Sequence, residues 1–270
     1  MNYSNKLQAA WARSKSLVCV GLDPEPARFP ARFQSRPDGI FAFNKAIIDA
    51  TADIVCAFKP QFAHFAAAGA LDQLSATIDY IRDRYPQVPI ILDAKRGDVG
   101  STAAFYAKEA FDHYNADAVT VNPYLGGDSI APFTQYADRG TILLCRTSNA
   151  GGADFQERLI DGEPLYIHVA RKAANEWNAN GNISLVVGAT VPKVIADVRY
   201  IVGDMPLLVP GVGAQGGDLQ ATVDVGRDVN GAGLVINASR SVLYASSGED
   251  FAHAARGVVE QMIADGARIG

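Results

Sequence analysis

The densest group of ionisable side chains in the sequence is Asp93-Ala94-Lys95-Arg96-Gly97-Asp98, which closes the apolar run Pro89–Lys95. In an extended chain successive side chains alternate between faces, so Asp93 and Lys95 share one side and Ala94 takes the other. Asp98 follows in the next loop, and Lys59 closes the preceding apolar run, Ile54–Lys59. On adjacent strands these residues form an alternating chain of charges: Lys59, Asp93, Lys95 and Asp98. Opposite charges at contact distance hold both lysines protonated and both aspartates ionised. Its place at adjacent strand ends marks it as a candidate functional site. The plainer alternative is a structural ion-pair rim. Against it, three apolar runs end in a charged residue and Arg240 follows a fourth, a costly placement without partners.

A second signal is Pro210-Gly211-Val212-Gly213-Ala214-Gln215-Gly216-Gly217-Asp218, just before a helical segment. It contains a G-x-G-x-x-G string, but the next apolar run ends in Asn237 and Ser239 and offers no acidic ribose partner for a dinucleotide. A glycine-rich turn at a helix start still presents backbone N–H groups to an anion. Arg240, just beyond that run, adds a bidentate cation. Together they make a handle for a phosphomonoester, with a merely tight turn as the alternative.

These residues need a scaffold, and eight short apolar or β-branched runs recur along the chain: Leu17–Asp23, Ile54–Lys59, Pro89–Lys95, Ala118–Asn122, Thr141–Ser148, Ser184–Ala189, Pro206–Gly211 and Gly233–Ser239. They are nearly continuous in hydrophobicity, as strands covered on both faces are. Helical periodicity fills the gaps, over Ile40–Ala52, Leu71–Arg84, Thr102–His113, Ile130–Tyr136, Leu165–Trp177, Val194–Ile201, Leu219–Val229 and Phe251–Ile263. Regular alternation predicts a parallel sheet with right-handed crossovers, and eight units predict one α/β domain, a (β/α)8 TIM barrel spanning 1–270. A doubly wound open sheet is the runner-up. Asn5–Arg13 reads as an extra helix capping the barrel's bottom. The long connection Asn149–Pro164 is either a lid or a tolerated insertion.

In such a barrel the active site lies at the carboxyl ends of the strands. Those ends carry Asp23, Lys59, Asp93 with Lys95, Asn122, Thr147 with Ser148, Thr190, the Gly211 loop, and Ser239 with Arg240.

Composition narrows the function classes. The 270 residues are 49% hydrophobic and 20% charged, as in a globular protein. A net charge of −5 argues against a nucleic-acid partner. No run is long and apolar enough for a membrane span, and the N-terminus lacks a signal-peptide core, so a cytoplasmic location is expected. Cys19, Cys56 and Cys145 sit singly inside apolar runs and read as small buried hydrophobes. The four histidines, His64, His113, His168 and His253, share no metal-ligand spacing, so no metal site is expected.

The segment Asp93-Ala94-Lys95-Arg96-Gly97-Asp98-Val99-Gly100-Ser101-Thr102 resembles the signature of orotidine 5′-phosphate decarboxylases. The resemblance extends through Val20–Pro24, Phe58–Pro60, Arg146–Asn149, Val187–Thr190, Pro210–Asp218 and Asn237–Arg240, in order, and is nearest the longer bacterial branch. It implies decarboxylation of orotidine 5′-monophosphate to uridine 5′-monophosphate and CO2 without metal or organic cofactor. Lys95 would be the proton donor, with Lys59, Asp93 and Asp98 completing its network. Asp23 and Lys59 would hold ribose hydroxyls, Ser148 the pyrimidine, and Gln215 and Arg240 the phosphate. Thr102, Asn122, Thr147, Thr190 and Gly213 complete the expected binding set. The resemblance also implies a homodimer in which Asp98 and Thr102 reach into the partner subunit's site. The phosphate loop is shorter than in the commoner branch, and Arg240 follows Ser239 rather than a glycine.

Loss of CO2 leaves an electron pair in an sp2 orbital orthogonal to the ring π system. Electrostatics must then stabilise it, which an ammonium beside C6 does. Phosphate binding is expected to close the glycine loop over the site. Two rivals remain: a Mg2+-dependent sugar-phosphate decarboxylase or aldolase of related barrel design, and a catalytically silent nucleotide-binding barrel. The first uses an acidic residue where this chain has Lys59, and the second has no need of an ammonium at C6.

Overall fold

The computed structural model describes residues 1–212 and 216–269. Eight parallel strands form in chain order: β1 Val18–Leu22, β2 Ala57–Pro60, β3 Ile91–Arg96, β4 Ala118–Val121, β5 Gly140–Arg146, β6 Ile183–Val187, β7 Leu207–Pro210 and β8 Leu234–Ala238. Each pairs with its sequence neighbours, and β8 returns to β1. Bridges from Phe58 to Ile90 and from Gln61 to Asp93 close the ring between β2 and β3. The result is the expected (β/α)8 barrel, not the open sheet.

The strands form because their side chains are buried on both faces: every residue of β1, β2, β4, β6 and β8 is buried. Helices supply the outer cover. In the helix Leu71–Arg84 the buried positions Leu74, Thr77, Ile78 and Ile81 follow three- and four-residue steps. Three helices that the periodicity carries straight to their ends finish instead in a wider π turn, at Glu109–His113, Ala173–Trp177 and Ile263–Ala267. The helix read as Leu219–Val229 ends at Gly226. There Arg227 turns extended and the Asp228 carboxylate caps the N–H groups of Asn230 and Ala232.

Strand β2 starts three residues later than its apolar run. Arg13 takes the carbonyls of Ala52, Asp53 and Val55, so those groups are not available to a ladder. Arg13 belongs to the N-terminal helix Tyr3–Ser14, which crosses the barrel's bottom. Tyr3 N–H donates to Asp138 O, Lys6 pairs with Asp117 before β4, and Trp11 Nε1 donates to the Leu234 carbonyl that opens β8. The connection 149–164 is ordered by a 3-10 turn, Ala150–Asp154, and a two-residue hairpin of Leu159–Ile160 with Glu163–Pro164. Its turn residues Asp161 and Gly162 both have positive φ, the pairing such hairpins require.

Candidate active site

The carboxyl ends of the strands surround a cavity of about 530 Å3. Its charged wall is built from β2 and β3. Asp93 is 5% exposed and Lys59 3% exposed, which is costly for isolated charges and is resolved by pairing. Lys59 Nζ lies 2.7 Å from Asp93 Oδ2 and Lys95 Nζ 2.7 Å from Asp93 Oδ1. Gln61 Nε2 adds a bond to Oδ2 at 3.0 Å and the Thr120 hydroxyl one to Oδ1 at 2.9 Å. Asp93 is therefore held by four donors from three strand ends.

The charges follow from this arrangement. Burial alone would raise the Asp93 pKa, but the Lys59 and Lys95 ammonium groups outweigh it and hold the carboxyl well below its usual range. Burial likewise opposes the charge on Lys59. Asp93 and then Asp23 reverse it and raise that lysine above its ordinary value.

Lys95 shares a side with Asp93, as alternation predicts, but by another route. The β3–β4 register shifts between Leu92 and Arg96, and Lys95 sits at φ +45°, so the strand bulges where regular pleating was expected. Asp23, just beyond β1, lies 3.9 Å from Lys59, and its buried Oδ1 accepts no hydrogen bond. The carboxylate is fixed by its own main chain: Tyr244 Oη donates to Asp23 O at 3.0 Å and accepts from Glu25 N at 2.7 Å.

Thr147, Ser148, Ser239 and Arg240 also line the cavity, together with the apolar side chains of Leu144, Val186 and Leu208. Two glycines let neighbouring strand ends approach closely: a Cβ on Gly21 would collide with Ser239 Oγ, and one on Gly188 would fall 2.6 Å from Ser148 Cα. Gln156, in the 149–164 connection, accepts from Thr147 N at 2.9 Å, tying that connection to the rim.

Of the residues read from the sequence, Asp23, Lys59, Asp93, Lys95, Thr147, Ser148 and Arg240 line this cavity. Four others do not. Asp98 accepts from its neighbour Val99 N and joins no ion pair among the described residues, so within one chain the Lys–Asp–Lys–Asp series stops at Lys95. Thr102 is exposed on the helix Gly100–Lys108. Asn122 caps the turn Pro123–Leu125 through Tyr124 N and lines a neighbouring cavity beside Tyr124 and Phe155. Thr190 lies just before the helix Pro192–Val202, off the cavity lining. Gly213 and Gln215 lie outside the described residues.

Gln61, Thr120, Gln156 and Tyr244 were not singled out from the sequence. Strand parity was the available signal for the first two: Gln61 is two residues beyond Lys59 and Thr120 two before Asn122, so each shares a face with a chosen residue. Nothing local marks Gln156 or Tyr244, which arrive from a loop and from beyond β8.

The three cysteines are free and buried, with burial pushing the Cys19 and Cys145 thiols up to about 12. Among the described residues no three His, Cys, Asp or Glu side chains are grouped to hold a metal ion, and no helix is long and apolar enough to cross a membrane.

Residues 16–255 match the family model described as orotidine 5′-phosphate decarboxylase / HUMPS family. The orotidine 5′-phosphate decarboxylase of Azoarcus sp. (strain BH72) is 61% identical over 261 residues, 97% of this chain and 97% of that protein. That of Janthinobacterium sp. (strain Marseille) is 59% identical over 258 residues, 96% and 95% of the two chains. Among solved structures, Leishmania donovani OMP decarboxylase superposes with a TM-score of 0.84 at 37% identity, covering 98% of each chain. Leishmania donovani UMP synthase gives 0.86 at 40% identity, with 98% of this chain matched to 56% of that longer one. With a matched model over most of its length and relatives near 60% identity, the chain belongs to the orotidine 5′-phosphate decarboxylase / HUMPS family.

Proposed function

We propose that the protein decarboxylates orotidine 5′-monophosphate to uridine 5′-monophosphate and CO2, the last step of de novo UMP biosynthesis, in the cytoplasm and without metal or organic cofactor. The observation that carries this reading is the Lys59–Asp93–Lys95 array. It sets a half-exposed ammonium on the cavity, fixed to a carboxylate that is itself held by four donors. Lys95 stabilises the carbanion at C6 as it forms and then protonates it. Asp93, near the departing carboxylate, opposes the ground state more than the transition state, as the lesser contribution. Lys59 keeps Asp93 charged and, with the free Oδ1 of Asp23, takes the ribose hydroxyls. Thr147 and Ser148 face the pyrimidine. Arg240 takes the phosphate with Gly213 and Gln215. An ammonium at position 59 repels a divalent cation, which disfavours the Mg2+-dependent sugar-phosphate chemistry of related barrels.

The active unit in this reading is a homodimer, with Asp98 and Thr102 of each chain completing the partner's site. Both residues are accessible in the single chain, and the same edge exposes Val99, Phe105, Tyr124 and Leu125, with Phe105 at 71% and Tyr124 at 79%. Apolar surface of this kind is costly in water and is covered in an interface.

The test follows loss of orotidine 5′-monophosphate absorbance with purified protein in excess EDTA. Decay to uridine 5′-monophosphate is expected. No decay, with turnover of a sugar phosphate on adding Mg2+, would overturn the reading. Tight nucleotide binding without turnover of either substrate would indicate the silent barrel.

A further inference from the structure

We propose that Thr120 is a positioning residue that fixes both members of the Asp93–Lys95 pair, an inference that rests on the role given above to Lys95. Thr120 lies on β4, is 1% exposed, and faces the bulge in β3. Where the ladder between the two strands is interrupted, its hydroxyl replaces the missing carbonyls: Oγ1 accepts from Ala94 N at 3.0 Å and from Lys95 N at 2.9 Å. The same hydroxyl donates to Asp93 Oδ1 at 2.9 Å.

A hydroxyl has one proton and two lone pairs, and here all three are committed. The donation must therefore run toward Asp93, because both N–H groups already occupy the acceptor positions. This one oxygen sets the left-handed backbone of Lys95, at φ +45°, and the orientation of the carboxylate that Lys95 Nζ meets at 2.7 Å. The β-branched side chain has few χ1 choices, so the oxygen is delivered in one place. Regular pleating would remove the bulge and change the direction in which Lys95 enters the cavity. Thr120 acts on the reaction through Lys95 and Asp93.

Thr120→Val keeps the shape and removes the oxygen, leaving two part-buried N–H groups and one carboxylate lone pair without their Thr120 partner. Thr120→Ser keeps the oxygen. The experiment compares kcat and KM for orotidine 5′-monophosphate in both variants, with the concentration of competent sites counted from calorimetric titration with uridine 5′-monophosphate. Lys95→Ala is run alongside. The expected result is a fall of about a hundredfold in kcat per competent site for Thr120→Val, with KM and product affinity changed by less than about threefold. Thr120→Ser should recover kcat to within about tenfold of the unaltered protein. If Thr120→Val does not fold, Thr120→Ala against Thr120→Ser makes the same comparison.

Three outcomes overturn the proposal: kcat within about threefold of the unaltered protein in the variant lacking the oxygen, equal loss in Thr120→Ser, or a loss confined to KM. Retained turnover in Lys95→Ala overturns the reading of the site itself. Loss in Lys95→Ala with none in Thr120→Val overturns only the role of Thr120.

Discussion

Two buried lysines stand at opposite ends of the barrel, each hydrogen-bonded to one aspartate: Lys59 meets Asp93 at 2.7 Å at the mouth, and Lys6 meets Asp117 at 2.8 Å at the floor. Their pKa values move in opposite directions. Burial works against the ammonium in both cases. At the mouth Asp93 and Asp23 overcome it, and Lys59 rises. At the floor burial prevails and Lys6 falls, because the single carboxylate of Asp117 also faces Arg82 at 3.7 Å and accepts from Ile90 N. The difference shows two uses of one chemistry. The floor pair joins the N-terminal helix to the start of β4, with both Asp117 Oδ2 contacts made inside the chain. The mouth sets two aspartates around Lys59, leaves Asp23 Oδ1 without a hydrogen bond and half-exposes Lys95, so its polar groups are turned toward the cavity.

The comparison can be broken from either end. The largest effect is expected from Lys95→Ala. Orotidine 5′-monophosphate turnover should fall by at least about 10,000-fold, since in the proposed reaction one group both donates the proton and stabilises the charge. Its Tm should move by no more than about 3 °C, because Lys95 is half exposed. At the floor the pattern reverses. Asp117→Ala strands Lys6 among cations and should cost about 3 kcal/mol in urea unfolding, with kcat per folded molecule unchanged. A loss of activity in the folded fraction would show that the floor is coupled to the mouth.

Arg240→Ala is expected to raise KM by about a hundredfold by removing the proposed charge-assisted phosphate contact, as read from initial rates against substrate concentration. An unchanged KM would take Arg240 out of the phosphate site.

The smallest effect is a change in pH dependence. A raised pKa on Lys59 contributes stability that is complete below the ordinary lysine value of 10.5 and is lost as pH rises past it. The lowered pKa of Lys6 does the reverse. Between that value and 10.5 the unfolded chain binds the extra proton, so stability rises with pH in that window. Lys6→Met should flatten that rise in urea midpoints measured just below pH 10.5, while leaving the loss above it. The depressed pKa of Asp93 adds stability that is present above the ordinary carboxylate value of 3.8 and lost as pH falls below it.

The barrel was legible because strands covered on both faces must be apolar throughout and their covering helices must be apolar on one stripe. Ala118–Asn122 and Leu71–Arg84 show this to within a residue. The errors fall where a specific polar contact overrides the periodic pattern. The start of β2 depends on Arg13, from another element. Val229 ends a helical pattern, yet it is 89% exposed because the helix stops at Gly226. In the site, Asp93, Lys95 and Lys59 were visible because charges at the ends of apolar runs are costly without partners. Gln61 and Thr120 passed as ordinary polar strand residues, since their value lies in what stands opposite. Asp98 and Thr102 meet none of the cavity-lining groups within one chain, and Asn122 turns to cap its own loop.

Residue type and order therefore settled the α/β alternation, the charged strand ends and the family motif, since these depend on neighbours within a few positions along the chain. Folding in three dimensions settled which carboxylate each lysine meets, the bulge that turns Lys95 toward Asp93, and the opposite shifts of Lys6 and Lys59. Those properties are sums of burial and Coulomb interaction over groups far apart in sequence, and they take their sign only when the barrel has brought the groups together.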